Sequence, residues 1–251
     1  MWVRFIRIGR LLWHLCRGLI LVTFRFPGWS PARRHRENRR WSQKLLRILA
    51  IRIHVGNLPE SFPNACLLVL NHVSWLDIVL VNAAHPAMFI AKSDIARWPL
   101  VGTLVTRAGT LYIERGSRGA LRRTNQQVSA TLLSGSLVAC FPEGTTTIGE
   151  HVGRFHAGLF QPAIDARAIV VPAVLRYFDA QGRRCDAAAY VGDDSLAKSL
   201  WMLASTSRLV AKLEYLAPLA STGRERRELS TEVHAAMSSR LKTLESGPAK
   251  N

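Results

Sequence analysis

The chain offers no run of 18 predominantly apolar residues free of charge, so a standard membrane-spanning helix is not among its features. Cysteine is sparse. Cys16, Cys66, Cys140 and Cys185 are the four in 251 residues, and their spacing matches no metal site. That density points away from a disulfide framework and towards free, mostly buried thiols in a reducing compartment. Nothing near the start resembles a removable signal peptide: the apolar stretch there is punctuated by arginine and lacks a small-residue cleavage site. Internal repeats and low-complexity tracts are also missing. Acidic residues are few, 17 Asp and Glu against 34 Lys and Arg, a net charge of +17. The shortage is local. Residues 1–53 hold 13 Lys and Arg with Glu37 as the one acid, a net +12, whereas residues 54–251 are nearly balanced at +5. The excess is an N-terminal feature attached to an ordinary body. At 48% hydrophobic residues that body has the composition of a globular domain with a full core.

Apolar residues recur all along 2–29, with Arg4, Arg7 and Arg10 at three-residue spacing along one side of a helix and Arg17 further on. Trp2, Trp13 and Trp29 suit a membrane–water boundary, and Pro27-Gly28 ends the segment. Residues 31–53 begin as a basic cluster and continue with Leu45, Leu46, Leu49 and Ile53 as one apolar helix face. The two segments read as a helical hairpin that holds a basic, apolar surface against anionic lipid. A basic arm for nucleic acid is the competing reading. The Trp, Leu and Ile content argues against it, because phosphate contacts need charge and not apolar bulk. Residues 1–57 are therefore read as a docking segment and 58–251 as the body.

Beyond Asn57-Leu58-Pro59, strand-like and helix-like segments alternate. Strands are expected at 66–70, 87–91, 110–113, 137–141, 169–175 and 209–216. Helices are expected at 75–84, 99–108, 118–133, 158–166, 195–205 and 221–244. Such alternation predicts an α/β fold, a mixed and mostly parallel sheet flanked by helices. Residues 179–194 read as loop.

The body is organised around residues 66–77, CLLVLNHVSWLD. An apolar strand ends in Asn71-His72, and Ser74 is a plausible N-cap for the helix that follows. On a continuous helix, residues five apart point about 140° from each other. His72 and Asp77 can therefore meet only if His72 lies in the turn and Asp77 reaches back. A histidine oriented by a carboxylate is a general base; a helix-start His beside a salt-bridging Asp is the plainer alternative. The stretch FPEGTTT, 141–147, follows another strand. Gly144 permits a positive φ, the threonines supply hydroxyls and N–H groups for an anion, and Glu143 fits such a turn by contacting a substrate hydroxyl. A capped tight turn is the alternative. In GTLYIERG, 109–116, a short strand ends in Glu114-Arg115, and an arginine there can fork onto a phosphate. Lys92 is a second strand-end cation. Val170-Val171-Pro172 reads as a buried strand broken by proline, with an edge strand as the plainer alternative when Pro172 is taken by itself.

Taken in order, NHVSWLD, FIAKSD, GTLYIERG, FPEGTTT, RFHAGLFQPAI and IVVPAVL resemble the glycerolipid acyltransferase family, over roughly residues 65–178. The basic N-terminal helices resemble the membrane-docking pair of its bacterial members. The resemblance implies that His72 is the catalytic base and Asp77 its orienting partner. It implies that Gly109 and Arg115 belong to the motif that binds the acceptor's phosphate. Glu143, Gly144 and Thr145 fall in a third motif tied to the acceptor, with Lys92 as a further substrate-binding cation. Pro172 falls in a fourth, linked to the acyl chain or donor. The implied reaction is O-acylation of a lyso-lipid, foremost 1-acylglycerol-3-phosphate to give phosphatidic acid, at the cytoplasmic face of the inner membrane. The acyl thioester of coenzyme A or of acyl carrier protein is the donor. No cofactor, metal or nucleic acid is expected. Two departures bear on the acceptor. Where the family's third motif reads Glu-Gly-Thr-Arg, this chain has Thr146 in the fourth place, and His156 replaces the lysine of a following Phe-Lys-x-Gly pattern. The Glu-Gly-Thr-Thr form resembles members acting on other lyso-lipids, lyso-ornithine lipid among them. A lipid or thioester hydrolase using the same histidine, and a non-enzymatic basic module, are the readings from other classes.

Overall fold

The computed structural model describes residues 2–113 and 118–244. Two helices open it, α1 (Trp2–Ile20) and α2 (Pro31–Ile48). Between them the backbone widens into a π turn over Leu21–Arg25 and tightens into a 3-10 turn at Phe26–Gly28, where Pro27 can donate no N–H. Ser30 then caps α2, its hydroxyl accepting from the Arg33 N–H at 3.4 Å, with Pro31 in the first helical position. The helices are locked at His14 and Trp41, whose rings stack at 4.8 Å. His14 Nε2 lies 2.9 Å from the Trp41 carbonyl, and Trp41 Nε1 donates to the His14 carbonyl at 3.2 Å. Gly18 makes this approach possible, since a Cβ there would lie 2.7 Å from Trp41 Nε1.

The body is a sheet with helices on both faces. Its elements are β1 (Ile51–Gly56), β2 (Cys66–Leu70), α3 (Leu76–Ala84), β3 (Met88–Lys92), α4 (Val101–Arg107), β4 (Leu111–Ile113), α5 (Arg118–Leu133), β5 (Leu137–Cys140), α6 (Gln161–Asp165), β6 (Ile169–Phe178), α7 (Leu196–Ser205), β7 (Leu209–Tyr215), β8 (Leu219–Ala220) and α8 (Arg226–Thr243). The strand order is β1-β7-β6-β2-β5-β3-β4, with β8 paired to β6. All pairings are parallel except those of β6 with β7 and β8. Both faces are covered, which is why β2 is an unbroken apolar run and every residue of it is buried. Leu68 and Leu70 point to the face packed by α2, α3 and α7, while Leu67 and Val69 point to the face packed by α5, α6 and α8.

Two expectations from sequence need correction. Ile53 does not continue the apolar face of α2. The helix stops at Ile48, Ala50 takes a positive φ of 55°, and residues 51–56 form the edge strand of the main sheet, parallel to β7. β-branched Ile51, Ile53 and Val55 alternating with Arg52 and His54 carry the strand signal. Pro172 is not on an edge strand. It is buried in β6, in register with Val69 of β2. Its carbonyl accepts from the Leu216 N–H at 2.8 Å, so its nitrogen faces the same side, where β7 has ended and β8 has not begun. No ladder bond is lost there, and the central position tolerates proline.

Candidate active site

The strand ends that carry His72, Glu143 and Lys92 lie at one edge, because β2, β5 and β3 run parallel. Open α/β sheets bind ligands at this C-terminal edge. His72 follows β2 directly and is gripped from two sides. Its N–H donates to Glu143 Oε1 at 2.8 Å, and its carbonyl accepts from the Thr147 N–H at 2.8 Å. The ring lies on Phe141, centroids 3.9 Å apart and planes within 10°. Nδ1 is 2.9 Å from Asp77 Oδ2. With the side chain 18% exposed, Nε2 is the ring nitrogen left for a substrate.

Asp77 reaches back from the first turn of α3. Its Oδ2 also accepts from the N–H groups of Val73, at 2.7 Å, and Ser74, at 2.9 Å. Its Oδ1 accepts from the Tyr177 hydroxyl at 2.6 Å. The carboxylate is fully buried, and its charge is held by these donors. Ser74 serves the helix start, its hydroxyl accepting from the Leu76 N–H at 3.3 Å.

The 141–147 turn shapes the floor. Glu143 is buried, and its second oxygen accepts from the Gly153 N–H at 3.0 Å, so both oxygens are taken by backbone donors. Burial pushes its carboxyl up from the ordinary range, against the lowering effect of the hydrogen bonds from His72 and Gly153. Gly144 takes a φ of 68°, and a Cβ there would lie 2.9 Å from the His156 ring. Thr145 is exposed on this turn. The Thr146 hydroxyl donates to the Tyr190 carbonyl. Gly109, with a φ of 101°, sits just past the end of α4. Lys92 closes β3 in register with Ile113. Arg115 lies outside the described residues. Pro172 is in β6, at the break between β7 and β8, one residue beyond Val171, which lines a cavity of about 610 Å³ with Glu214 and Arg240.

Three residues at this site were missed in the sequence. Asn71 bridges β2 to β6 as a backbone mimic, donating to the Leu175 carbonyl at 3.0 Å and accepting from its N–H at 2.8 Å. Its place between a buried strand and His72 was the available signal. Tyr177 was lost because β6 runs to Phe178 and not to Leu175. Tyr190, in the stretch read as featureless loop, donates its N–H to the Val73 carbonyl at 3.0 Å and lines a cavity of about 260 Å³ with Trp98, Pro99, Val101 and Leu196. Neither tyrosine carries a local signal for this role. Among the described residues no group of His, Cys, Asp and Glu side chains could hold a metal ion.

The fold and this edge define an α/β enzyme with a buried carboxylate behind a half-open histidine. Residues 51–176 match the Acyltransferase family model. The chain is 39% identical over 189 residues to a 1-acyl-sn-glycerol-3-phosphate acyltransferase of Neisseria gonorrhoeae, covering 75% of this chain and 74% of that one. It is 36% identical over 243 residues to a lyso-ornithine lipid O-acyltransferase of Pseudomonas aeruginosa, covering 92% and 91%. The crystal structure of the 1-acyl-sn-glycerophosphate acyltransferase of Thermotoga maritima shares the fold, with a TM-score of 0.67 at 19% identity over 97% of this chain and all of that one. The protein belongs to the Acyltransferase family. It is an acyltransferase.

Proposed function

We propose that the protein O-acylates a lyso-lipid at a membrane surface, with His72 as general base and an acyl thioester of coenzyme A or acyl carrier protein as donor. The observation that carries this reading is the 2.9 Å pair of His72 Nδ1 and Asp77 Oδ2, which leaves Nε2 open at the sheet's C-terminal edge. With Nδ1–H donated to Asp77, Nε2 takes the proton of the acceptor hydroxyl as its oxygen attacks the thioester carbonyl. The tetrahedral intermediate collapses by breaking the C–S bond, and the imidazolium returns its proton to the departing thiolate. Asp77 stabilises the imidazolium between these steps. No acyl-enzyme is needed.

The acceptor fits two readings. 1-Acylglycerol-3-phosphate is supported by the Neisseria relative and by the matching motif order. Lyso-ornithine lipid is favoured by a specific observation: Thr146 and His156 stand where phosphate-binding cations belong, and Thr146 is committed to the Tyr190 carbonyl. The membrane surface is supported by α1. Trp2, Ile6, Trp13 and Ile20 are all exposed and lie on one helical face, and Arg7 anchors that helix to the body through the Thr206 carbonyl at 2.6 Å. None of the described helices is long and apolar enough to cross a bilayer. The test is a panel of lyso-lipids with one labelled acyl donor, lysophosphatidate and lyso-ornithine lipid side by side. Acceptor-dependent transfer that His72→Ala abolishes is expected. Release of free fatty acid without acceptor dependence would overturn the reading in favour of a hydrolase.

A further inference from the structure

We propose that Tyr177 is a positioning residue for the acyl transfer, acting through Asp77 to aim the carboxylate at His72. This rests on the reading of His72 and Asp77 as the reacting pair.

The geometry singles it out. Asp77 Oδ2 gathers three donors, the His72 ring and the Val73 and Ser74 N–H groups. Oδ1 has one, the Tyr177 hydroxyl at 2.6 Å. A carboxylate turns freely about its Cβ–Cγ bond, and its two oxygens are chemically equal. Without a partner, Oδ1 would rotate towards the N–H groups of the β2–α3 turn and share them with Oδ2, drawing the carboxylate out of line with the imidazole. The Tyr177 bond removes that freedom and fixes which oxygen faces Nδ1. Tyr177 can do this because it is itself immobile. It is 2% exposed and held in β6 opposite Ala211 of β7. β6 is tied to the catalytic turn a second time, through Asn71 and the backbone of Leu175. The strand beside β2 therefore sets both the backbone before His72 and the carboxylate behind it. Burial and the Asp77 charge both push the phenol up, so it remains a donor wherever the enzyme works.

Tyr177→Phe keeps the ring and removes the donor. The expected result is a fall in kcat of about tenfold, the size of one hydrogen bond to a charged group, with KM for donor and acceptor unchanged. Combined with Asp77→Asn, which already disorders the pair, the same change should cost nothing further. An unaltered kcat would overturn the proposal, as would a rise in KM alone or a full additional loss in the Asp77→Asn background. Should the phenylalanine variant fail to fold, 3-fluorotyrosine at position 177 keeps the hydroxyl. It should retain wild-type kcat, and a loss there would assign the residue to packing. His72→Ala assayed alongside separates the two ideas. Activity surviving in that variant removes the base, whereas an inactive His72→Ala with a normal Tyr177→Phe removes only the positioning role.

Discussion

His72 Nδ1 and Asp77 Oδ2 are 2.9 Å apart although the two residues stand five positions apart in sequence. The distance closes because the chain is not helical between them. His72 stands in the turn after β2, and Asp77 folds back over the Val73 and Ser74 N–H groups. One carboxylate thus satisfies two backbone donors of the strand-to-helix turn and orients the His72 ring. Both tasks fall on it, and its substitution should be felt in both.

Asp77→Asn replaces an acceptor that four donors use. An amide offers one oxygen and two N–H groups, so at least one donor is left facing another. The expected loss of kcat is about 10²–10⁴-fold, the range of general-base assistance. Leaving a buried donor unsatisfied should also cost about 1–3 kcal/mol of stability. His72→Ala should match the loss of kcat with a smaller loss of stability, since His72 is partly exposed. Labelled-donor assays and thermal melts of the two variants check both halves; equal stability losses, or transfer undiminished in His72→Ala, contradict the assignment.

Glu143 gives a pH prediction. Burial raises its carboxyl above its ordinary value of about 4.5. A raised folded value contributes stability that is complete below the unfolded value and is lost as pH climbs through the folded one. Glu143→Gln cannot titrate and turns an N–H group towards one of the two backbone donors. The melting-temperature gap between wild type and variant should be widest near about pH 4 and narrow as pH rises towards neutrality. Paired melts across that interval decide it, and a gap that is constant or widens with pH refutes the burial account. The variant should also lose kcat, because Glu143 fixes the backbone N–H of His72, the proposed base.

Much of this was legible beforehand, and the gaps have physical reasons. All six expected strands form, and with the helix α5 they follow from buried apolar runs and turn residues, because local pattern dictates them. The His72–Asp77 pair was legible because a strand-to-helix turn is the one place where that spacing closes. β1 was hidden by the continuity of apolar residues from Leu45 to Val55, which a helix and a strand share. The roles of Tyr177 and Asn71 were hidden because they are long-range, joining β6 to the β2 turn about a hundred residues away. The backbone partners of Glu143 were hidden in the same way: its oxygens accept from the N–H groups of His72 and Gly153, which the sequence of the 141–147 turn does not announce.

The exposed face of α1 should bind lipid independently of catalysis. Trp2, Ile6 and Trp13 make no essential packing with the body, since the buried contacts of this helix are Leu11, His14 and Gly18. Changing all three to serine should release the protein from anionic vesicles in a flotation assay. The melting temperature and the rate with a detergent-dispersed acceptor should be retained. Full vesicle binding by this variant would leave the face without that role. Substitution is the appropriate test, because a truncation through residue 53 would remove part of β1 and the core contacts of α2.

Acceptor choice should turn on Thr146. Its hydroxyl is spent on the Tyr190 carbonyl, and it contributes no charge to the turn that holds Glu143 and Gly144. Thr146→Arg places a cation in that turn beside the partly exposed His72. A guanidinium can hold either a phosphate or a carboxylate through two parallel hydrogen bonds, but a phosphate carries more negative charge, whereas the carboxylate of a zwitterionic head group is offset by its own ammonium. The variant should therefore raise kcat/KM for lysophosphatidate relative to lyso-ornithine lipid, by about tenfold for one charge-assisted contact. The gain should appear in the acceptor KM and leave the donor KM alone. Loss of the Tyr190 contact should lower activity with both acceptors to the same degree, so the ratio between them is the quantity to read. A ratio that stays put means the head group lies away from this turn, and that Thr146 does not set the acceptor.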